Sequence, residues 1–266
     1  MMKDLDAHAP ETPSASAVQR TMAILECLDS SRRGLNVSEV SRKLEIPKSS
    51  VHVLMLSLER LGYIRRASNG RDFCLGLKVY ALGQRMAKTI TVAEIALPYM
   101  QALVDELSLC AHLAVLDHDQ GVFIQKAEPA GSIHFDTYIG RRMDLHCTSV
   151  GKVILAFAHP ESTEHIFSKR AFMRYTPTTI TSGQALRKEV TRVRRTGYAI
   201  DNEEEELGAR CVAVPVLHEG VSFVAALSVA GSIAQMEAPR VEDLVQRLRE
   251  CAVAIAADDL PPPPLW

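Results

Sequence analysis

The sequence lacks any apolar run near the roughly 18 residues that a membrane-spanning helix requires. Met1 to Ser16 is polar and has no apolar stretch of the kind a secretory leader carries. Both absences predict a cytoplasmic protein with no membrane partner. No two of the six cysteines (Cys27, Cys74, Cys110, Cys147, Cys211 and Cys251) form a C-x-x-C pair, and most sit in apolar runs. That usage predicts reduced, buried thiols rather than a disulfide frame or a metal site. Phosphate-cradling glycine loops, a nucleophile elbow and an H-E-x-x-H helix are also missing. Neither a catalytic residue nor a cofactor is therefore expected, although His134, His146, Cys147 and Cys211 supply the residue types of a Cys/His pair.

What is present is enough for two domains: 266 residues, 47% of them hydrophobic, against a typical domain of about 150 residues. Net charge is −2 but unevenly placed. Residues 17–93 hold 13 Lys or Arg against 6 Asp or Glu, a net of +7, which leaves −9 for the remainder. A basic segment joined to an acidic one suits a polyanion at one end only.

Hydrophobic periodicity gives the elements. Val18, Met22, Leu25 and Leu28 recur at helical spacing, and Val37, Val40 and Leu44 make a second, short helix. A third runs from Lys48, after Pro47, to Leu61, before Gly62. Residues 63–67 and 72–75 then flank Asn69-Gly70, a strong hairpin signal. Leu77–Lys88 and Val92–Ser108 read as helices, the latter starting or kinking at Pro98. Beyond them strands are predicted over 111–116, 122–126, 133–138, 198–200, 211–217 and 221–229. Helices are predicted over 149–158, 162–169, 182–196 and 239–257. The fold class expected is α+β, with a mostly antiparallel sheet and helices packed on it.

Three helices and a hairpin in about sixty residues form a winged helix-turn-helix pattern. On a helical wheel Val51, Leu54, Met55, Leu58 and Leu61 share the packed face of the third helix. Ser49, Val53, Leu56, Ser57 and Arg60 lie opposite, with Ser50 and His52 at the flanks. Small polar residues at the start of such a helix fit a major groove, where they can donate to phosphates and base edges. Lys48 and the wing residues Arg65, Arg66 and Arg71 suit phosphate or minor-groove contact. Double-stranded operator DNA is the partner this pattern predicts.

Pro47-Lys48-Ser49-Ser50-Val51-His52 followed by Leu58-Glu59-Arg60-Leu61-Gly62-Tyr63-Ile64 resembles the recognition-helix signature of the IclR family of bacterial transcription regulators. Phe73-Cys74-Leu75-Gly76 and Ala81-Leu82-Gly83 resemble that family's wing exit and linker helix. Thr148-Ser149-Val150-Gly151-Lys152-Val153-Ile154-Leu155-Ala156 is similar to its effector-domain helix. Gly197-Tyr198-Ala199-Ile200-Asp201, Glu204-Glu205, Gly208 and Cys211-Val212-Ala213-Val214-Pro215 resemble its most specific stretch. The resemblance spans roughly residues 17–256. It implies a GAF-like effector domain, a homodimer or homotetramer (a dimer of dimers), and control of genes for small organic acids or related carbon sources. The organisation expected is a disordered tail (1–16), a winged helix-turn-helix domain (17–76), a linker helix (77–95), an effector domain (96–257) and a proline-rich tail (258–266).

Two departures stand out. Val53 occupies a groove-face position where the family commonly has Arg, and could instead touch a thymine methyl. Ser228-Val229-Ala230-Gly231-Ser232 stands where the family often reads Ser-x-Ser-Gly-Pro.

Taken alone, the residues of the second domain leave the site open. Thr148 and Ser149 at a helix N-terminus make either a plain cap or an anion site. Ser228, in an apolar strand, is either satisfied by backbone or a pocket group. Asp201 heads an acidic run of the kind usually solvated, and Cys211 is ordinarily inert core. The resemblance implies that Ser149, Val150, Asp201, Cys211, Ser228 and Ala230 hold a small carboxylate effector. Alanine at 230, offering a methyl and more room than serine, predicts a less densely polar ligand than the smallest keto acids, such as an aromatic or longer acid.

Overall fold

The computed structural model describes residues 16–31, 33–130, 137–168, 172–218 and 221–258. The chain separates into two compact units that divide between Ala87 and Lys88.

The first unit begins with α1 (Ala17–Asp29), α2 (Val37–Leu44) and α3 (Lys48–Leu61). Ser16 and Asn36 start the first two helices through capping boxes with Gln19 and Glu39, which satisfy N–H groups that would otherwise lack acceptors. Ser16, expected in the tail, is thus a helix cap; residues 1–15 lie outside the described residues. Gly62 ends α3 at φ +82°, a conformation open to glycine at little cost. The wing follows as β1 (Ile64–Arg66) paired antiparallel with β2 (Phe73–Leu75). Ile24, Leu28, Val40, Val51, Met55, Leu58, Ile64 and Phe73 fill the core between them. Leu61 departs from the wheel and is 52% exposed, because it falls in the last turn, beyond the reach of α1 and α2. Helix α4 (Leu77–Ala87) buries no residue; Leu77, Tyr80, Leu82 and Met86 all face solvent.

The second unit opens with α5 (Thr91–Leu107). Pro98 lies inside it rather than at its start. The missing backbone bond is offset by burial of Ala93, Ala96, Met100, Leu103, Val104 and Leu107 along one stripe. A six-stranded antiparallel sheet follows, in the order β5-β4-β3-β8-β7-β6. Its strands are β3 (Cys110–Asp117), β4 (Gln120–Ala127), β5 (Arg142–Met143), β6 (Ala199–Asn202), β7 (Ala209–His218) and β8 (Val221–Ser232). Helices α5 and α9 (Val241–Ala257) cover one face, where Met100, Leu103, Leu244 and Leu248 meet Leu113, Val212, Leu227 and Val229. Helices α6 (Ser149–Phe157) and α8 (Gly183–Thr196) cover the other, over Phe123, Ala199, Ala213 and Ala226.

Two sequence expectations change, and a third falls outside the described residues. In the strand expected over 133–138, residues 133–136 lie outside the described residues, and Thr137 and Tyr138 are not in a strand. Arg142 and Met143 instead pair with Val122 and Gly121 at that edge. The helix expected over 162–169 divides into α7 (Pro160–Thr163) and a 3-10 turn (Glu164–Ser168), with Lys169 outside the described residues. The proline run 261–264 also lies outside them.

Candidate functional site

In the first unit, α3 turns Ser49, His52, Val53 and Arg60 to solvent, while Ser50 and Ser57 are half-buried. The Ser57 hydroxyl donates to the Val53 carbonyl at 3.0 Å, so it is already engaged. An open groove runs between the starts of α2 and α3 and the wing, and Lys48, Ser49, His52, Arg66 and Arg71 line it with Arg42 and Glu39. The wing arginines are not equivalent. Arg66 donates to Glu59 at 3.0 Å and to the Gly70 carbonyl at 3.1 Å, and its guanidinium lies 4.6 Å from the Phe73 ring centre. It braces the wing against α3. Arg65 has only a long, 3.5 Å contact with the Arg66 carbonyl. Lys48, Arg60 and Arg71 form no ion pair among the described residues.

In the second unit, α6 is buried from Ser149 to Ala156. Thr148 caps it: its hydroxyl accepts the Gly151 N–H at 3.1 Å and donates to the Asp144 carbonyl at 2.8 Å. A side chain at 151 would meet the Leu145 backbone at 2.5 Å, so only glycine lets the turn after β5 pack against the helix start. The first-turn N–H groups of Ser149 and Val150 lack intrahelical acceptors, as at any helix N-terminus. Ser149 and Val150 both line a cavity of about 70 Å³.

All six residues expected from the sequence line this cavity. Register explains why. Asp201 on β6 is the cross-strand neighbour of Cys211 on β7, which is the neighbour of Ala230 on β8. Cross-strand neighbours share a face, and Ser228, two residues from Ala230, shares it too. Ser149 and Ser228 are 2% and 3% exposed. Neither hydroxyl has a hydrogen-bond partner among the described residues.

Thr148, which the sequence placed at the helix start, and Glu205, within the family-like stretch, also line it, and so do residues not singled out from the sequence: His112, Phe123, Thr137, Arg141, Glu206 and Ala209. His112, cross-strand from Ser228, holds Thr137 Oγ1 at 2.9 Å through Nε2 and lies 4.8 Å from the Phe123 ring centre. Burial, reinforced by Lys126 and Arg141, pushes its pKa down to about 3, so the ring is neutral. A lone histidine inside the apolar run 110–116 was the available signal for it. Arg141 carries none; it comes to the wall from the turn before β5 and pairs with Glu205 at 3.3 Å.

The solvated acidic run expected at 201–206 is instead partly internal. Asp201 and Glu204 are buried because β6 alternates into the sheet and the turn after it folds back under α6. Burial raises the Asp201 carboxyl to about 7, against the lowering effect of the Glu204 N–H it accepts at 2.8 Å and of Lys152. Glu205 is likewise raised by burial, with Arg141 opposing. Burial pushes the Cys211 thiol well above its ordinary range, so it is a protonated thiol and a poor nucleophile. The room expected beside Ala230 is small, because the His112 and Phe123 rings occupy the same cavity wall. Among the described residues no cluster of three His, Cys, Asp or Glu is placed to hold a metal.

The IclR helix-turn-helix domain matches residues 17–68, and the family described as bacterial transcriptional regulator IclR, C-terminal, matches residues 84–257. The chain belongs to the IclR family. The regulator KdgR of Escherichia coli is 32% identical over 254 residues, covering 96% of this chain and 95% of its own. XynR of the same organism is 28% identical, covering 92% and 97%. A solved IclR homolog from Microbacterium hydrocarbonoxydans, complexed with 4-hydroxybenzoate, is 30% identical, with a TM-score of 0.79 over 91% of this chain and 98% of that one. The Thermotoga maritima IclR structure is 28% identical, with a TM-score of 0.74 over 90% and 96%. Like its IclR relatives, this protein is a helix-turn-helix transcription regulator with a C-terminal effector domain, not an enzyme.

Proposed function

We propose that the protein binds operator DNA in the cytoplasm with α3 in the major groove and releases or tightens that grip when a small organic acid fills the cavity of the second unit. Ser49, Ser50, His52 and Val53 face base edges, with Ser57 at their margin. Lys48, Arg60, Arg65 and Arg71 meet phosphates, and Arg66 holds the wing in place for them. Two copies pair through the largely exposed apolar side chains of helix α4. No helix among the described residues is long and apolar enough to cross a membrane.

The observation that carries the ligand assignment is the pair of buried hydroxyls at Ser149 and Ser228, which face the cavity without a protein partner. These oxygens are not sealed into the core but open to the cavity, so a molecule entering it meets two hydroxyls with free hydrogen-bonding capacity. The free N–H groups of α6 take its carboxylate. Asp201, whose carboxyl burial raises to about 7, donates to it when protonated or accepts a hydroxyl. The cavity is small beside the several hundred Å³ of drug-sized pockets, and its few polar groups are set in a lining that is mostly apolar. A short hydroxy or keto acid fits it better than the longer or aromatic acid that alanine at 230 suggested. The Microbacterium relative's 4-hydroxybenzoate is also a hydroxylated carboxylic acid. A thermal-shift series of carboxylic acids, from glyoxylate to 4-hydroxybenzoate, tests the reading on the full chain. A ligand at a hundred times Kd adds about 2.7 kcal/mol to stability. Absence of any shift across the series would refute it.

A further inference from the structure

Lys152 is 1% exposed and lies on α6 three residues, close to one turn, beyond Ser149. A buried ammonium must be compensated or it would lose its charge. Its compensation comes chiefly from one short segment. Nζ donates to the Ile200 carbonyl and to Glu204 Oε1, both at 2.6 Å. Glu189 on α8 stands further off, at 3.9 Å, and is already held by Arg192.

Ile200 and Glu204 bracket Asp201, and Asp201 itself accepts the Glu204 N–H. From the other side, the Thr176 and Thr178 hydroxyls donate to the Glu203 carbonyl at 2.6 and 2.7 Å, and Thr179 donates to the Glu204 carbonyl at 2.7 Å. The Asp201 turn is therefore strapped on two sides, and one strap is anchored on the helix whose N-terminus faces the cavity. The pair is not an efficient device for stability alone. Glu204 Oε2 is buried with no hydrogen-bond partner, and well-packed apolar residues in place of a buried ion pair are often as stable or more so.

We infer that Lys152 is a positioning residue of the effector site: by tying the Asp201 turn to α6, it sets the span between the Ser149 helix end and the Asp201 carboxyl, and so the length of acid the cavity accepts. This rests on the cavity being the effector site. Lysine suits the task because its unbranched stem crosses the apolar layer beside Val153 and carries a point charge to two acceptors at once. The cation also favours the ionised form of Asp201, whereas Glu204 and Glu205 oppose it.

The test is calorimetry on the full chain with glyoxylate, pyruvate, 2-oxobutyrate and 2-oxoglutarate as probes. Lys152→Met keeps the stem and removes the charge. It should bind the preferred acid about tenfold more weakly and lose the preference between adjacent chain lengths. The pH above which binding declines should also move upward, because Asp201 then keeps its proton longer. Leu155→Ala removes an equally buried side chain from the same helix and should leave preference and pH profile unchanged. If Lys152→Met does not fold, Glu204→Gln keeps an acceptor without the charge and should show the same loss of preference with about a threefold loss of affinity, while the pH above which binding declines moves downward, because a charge that held the proton on Asp201 is gone. If the parent binds an acid and the variants match its affinity, preference and pH profile, the inference falls alone. If the parent binds none of the acids, it falls together with the assignment of the cavity.

Discussion

Asp201 sits where a carboxylate would be poorly solvated, on an interior strand face beside two further acids and one buried ammonium. Its pKa is raised to about 7, above the ordinary 3.8. The folded protein therefore binds this proton more tightly than the unfolded chain does, and the Asp201 contribution to stability is lost as pH rises from about 4 to about 7. The same sign governs the ligand. A carboxylate entering beside Asp201 requires the proton to be in place, so affinity should be flat below pH 7 and fall about tenfold per pH unit above it. Calorimetry between pH 5.5 and 8.5 measures this, and Asp201→Asn should flatten the profile. A parent profile as flat as the variant's would place the carboxylate away from Asp201. Ser228 gives a complementary expectation. Its hydroxyl has no partner to lose, so Ser228→Ala should leave thermal stability unchanged or slightly raised while weakening effector binding about tenfold. A clear drop in melting temperature would mean that the hydroxyl is held by the protein.

At the scale of elements, the first unit was legible because each of its signals is local. Helical periodicity, Pro47 before α3, Gly62 after it and Asn69-Gly70 between two short strands all act within a few residues. What was not legible depends on distant partners. The edge strand β5 is two residues long and exists only because Gly121 and Val122 offer it a ladder. Asp201 and Glu204 read as solvated charge because composition carries no record of β6 lying against β7. The six cavity residues named from the sequence run from Ser149 to Ala230, 81 positions apart, and the motifs named them through family resemblance, not through spacing. Arg141 and His112 were missed for the same reason: the turn before β5 and the pairing of β3 with β8 bring them in. The wing shows the same division of labour between local and partner-set roles. Arg71 is exposed and unpaired, so Arg71→Ala should weaken binding to every DNA sequence alike and flatten the salt dependence by about one unit. Arg66→Ala should instead act through geometry, because it frees Glu59 and unbraces the hairpin. Its effect should shrink when Glu59 is also replaced, in a double-mutant cycle measured by fluorescence anisotropy. Additive effects would make Arg66 a phosphate contact like its neighbours.

At the scale of the whole molecule, α4 is the element whose surface a monomer leaves unexplained. Eleven residues form a regular helix with no buried side chain, and Val79, Leu82 and Met86 recur at the i, i+3 and i+4 spacings that place them on one stripe. An apolar stripe left in water marks an interaction surface, and a second copy of the same stripe is a partner that a two-fold axis makes self-complementary. Two recognition helices joined in this way would read half-sites about 34–36 Å apart, one turn of the duplex, or a multiple of that. Leu82→Asp with Met86→Asp puts charge into the centre of such a seam without touching either domain core. Sedimentation at micromolar concentration should show the parent as a dimer or larger and the double variant shifted toward monomer. Effector binding should survive, since the cavity is built entirely from the second unit. Affinity for a near-palindromic operator should fall by orders of magnitude, because one winged unit keeps only half of the phosphate and base contacts. A parent that sediments as a monomer and grips a single half-site tightly would instead make α4 a spacer between the two units, and its apolar stripe would need another occupant.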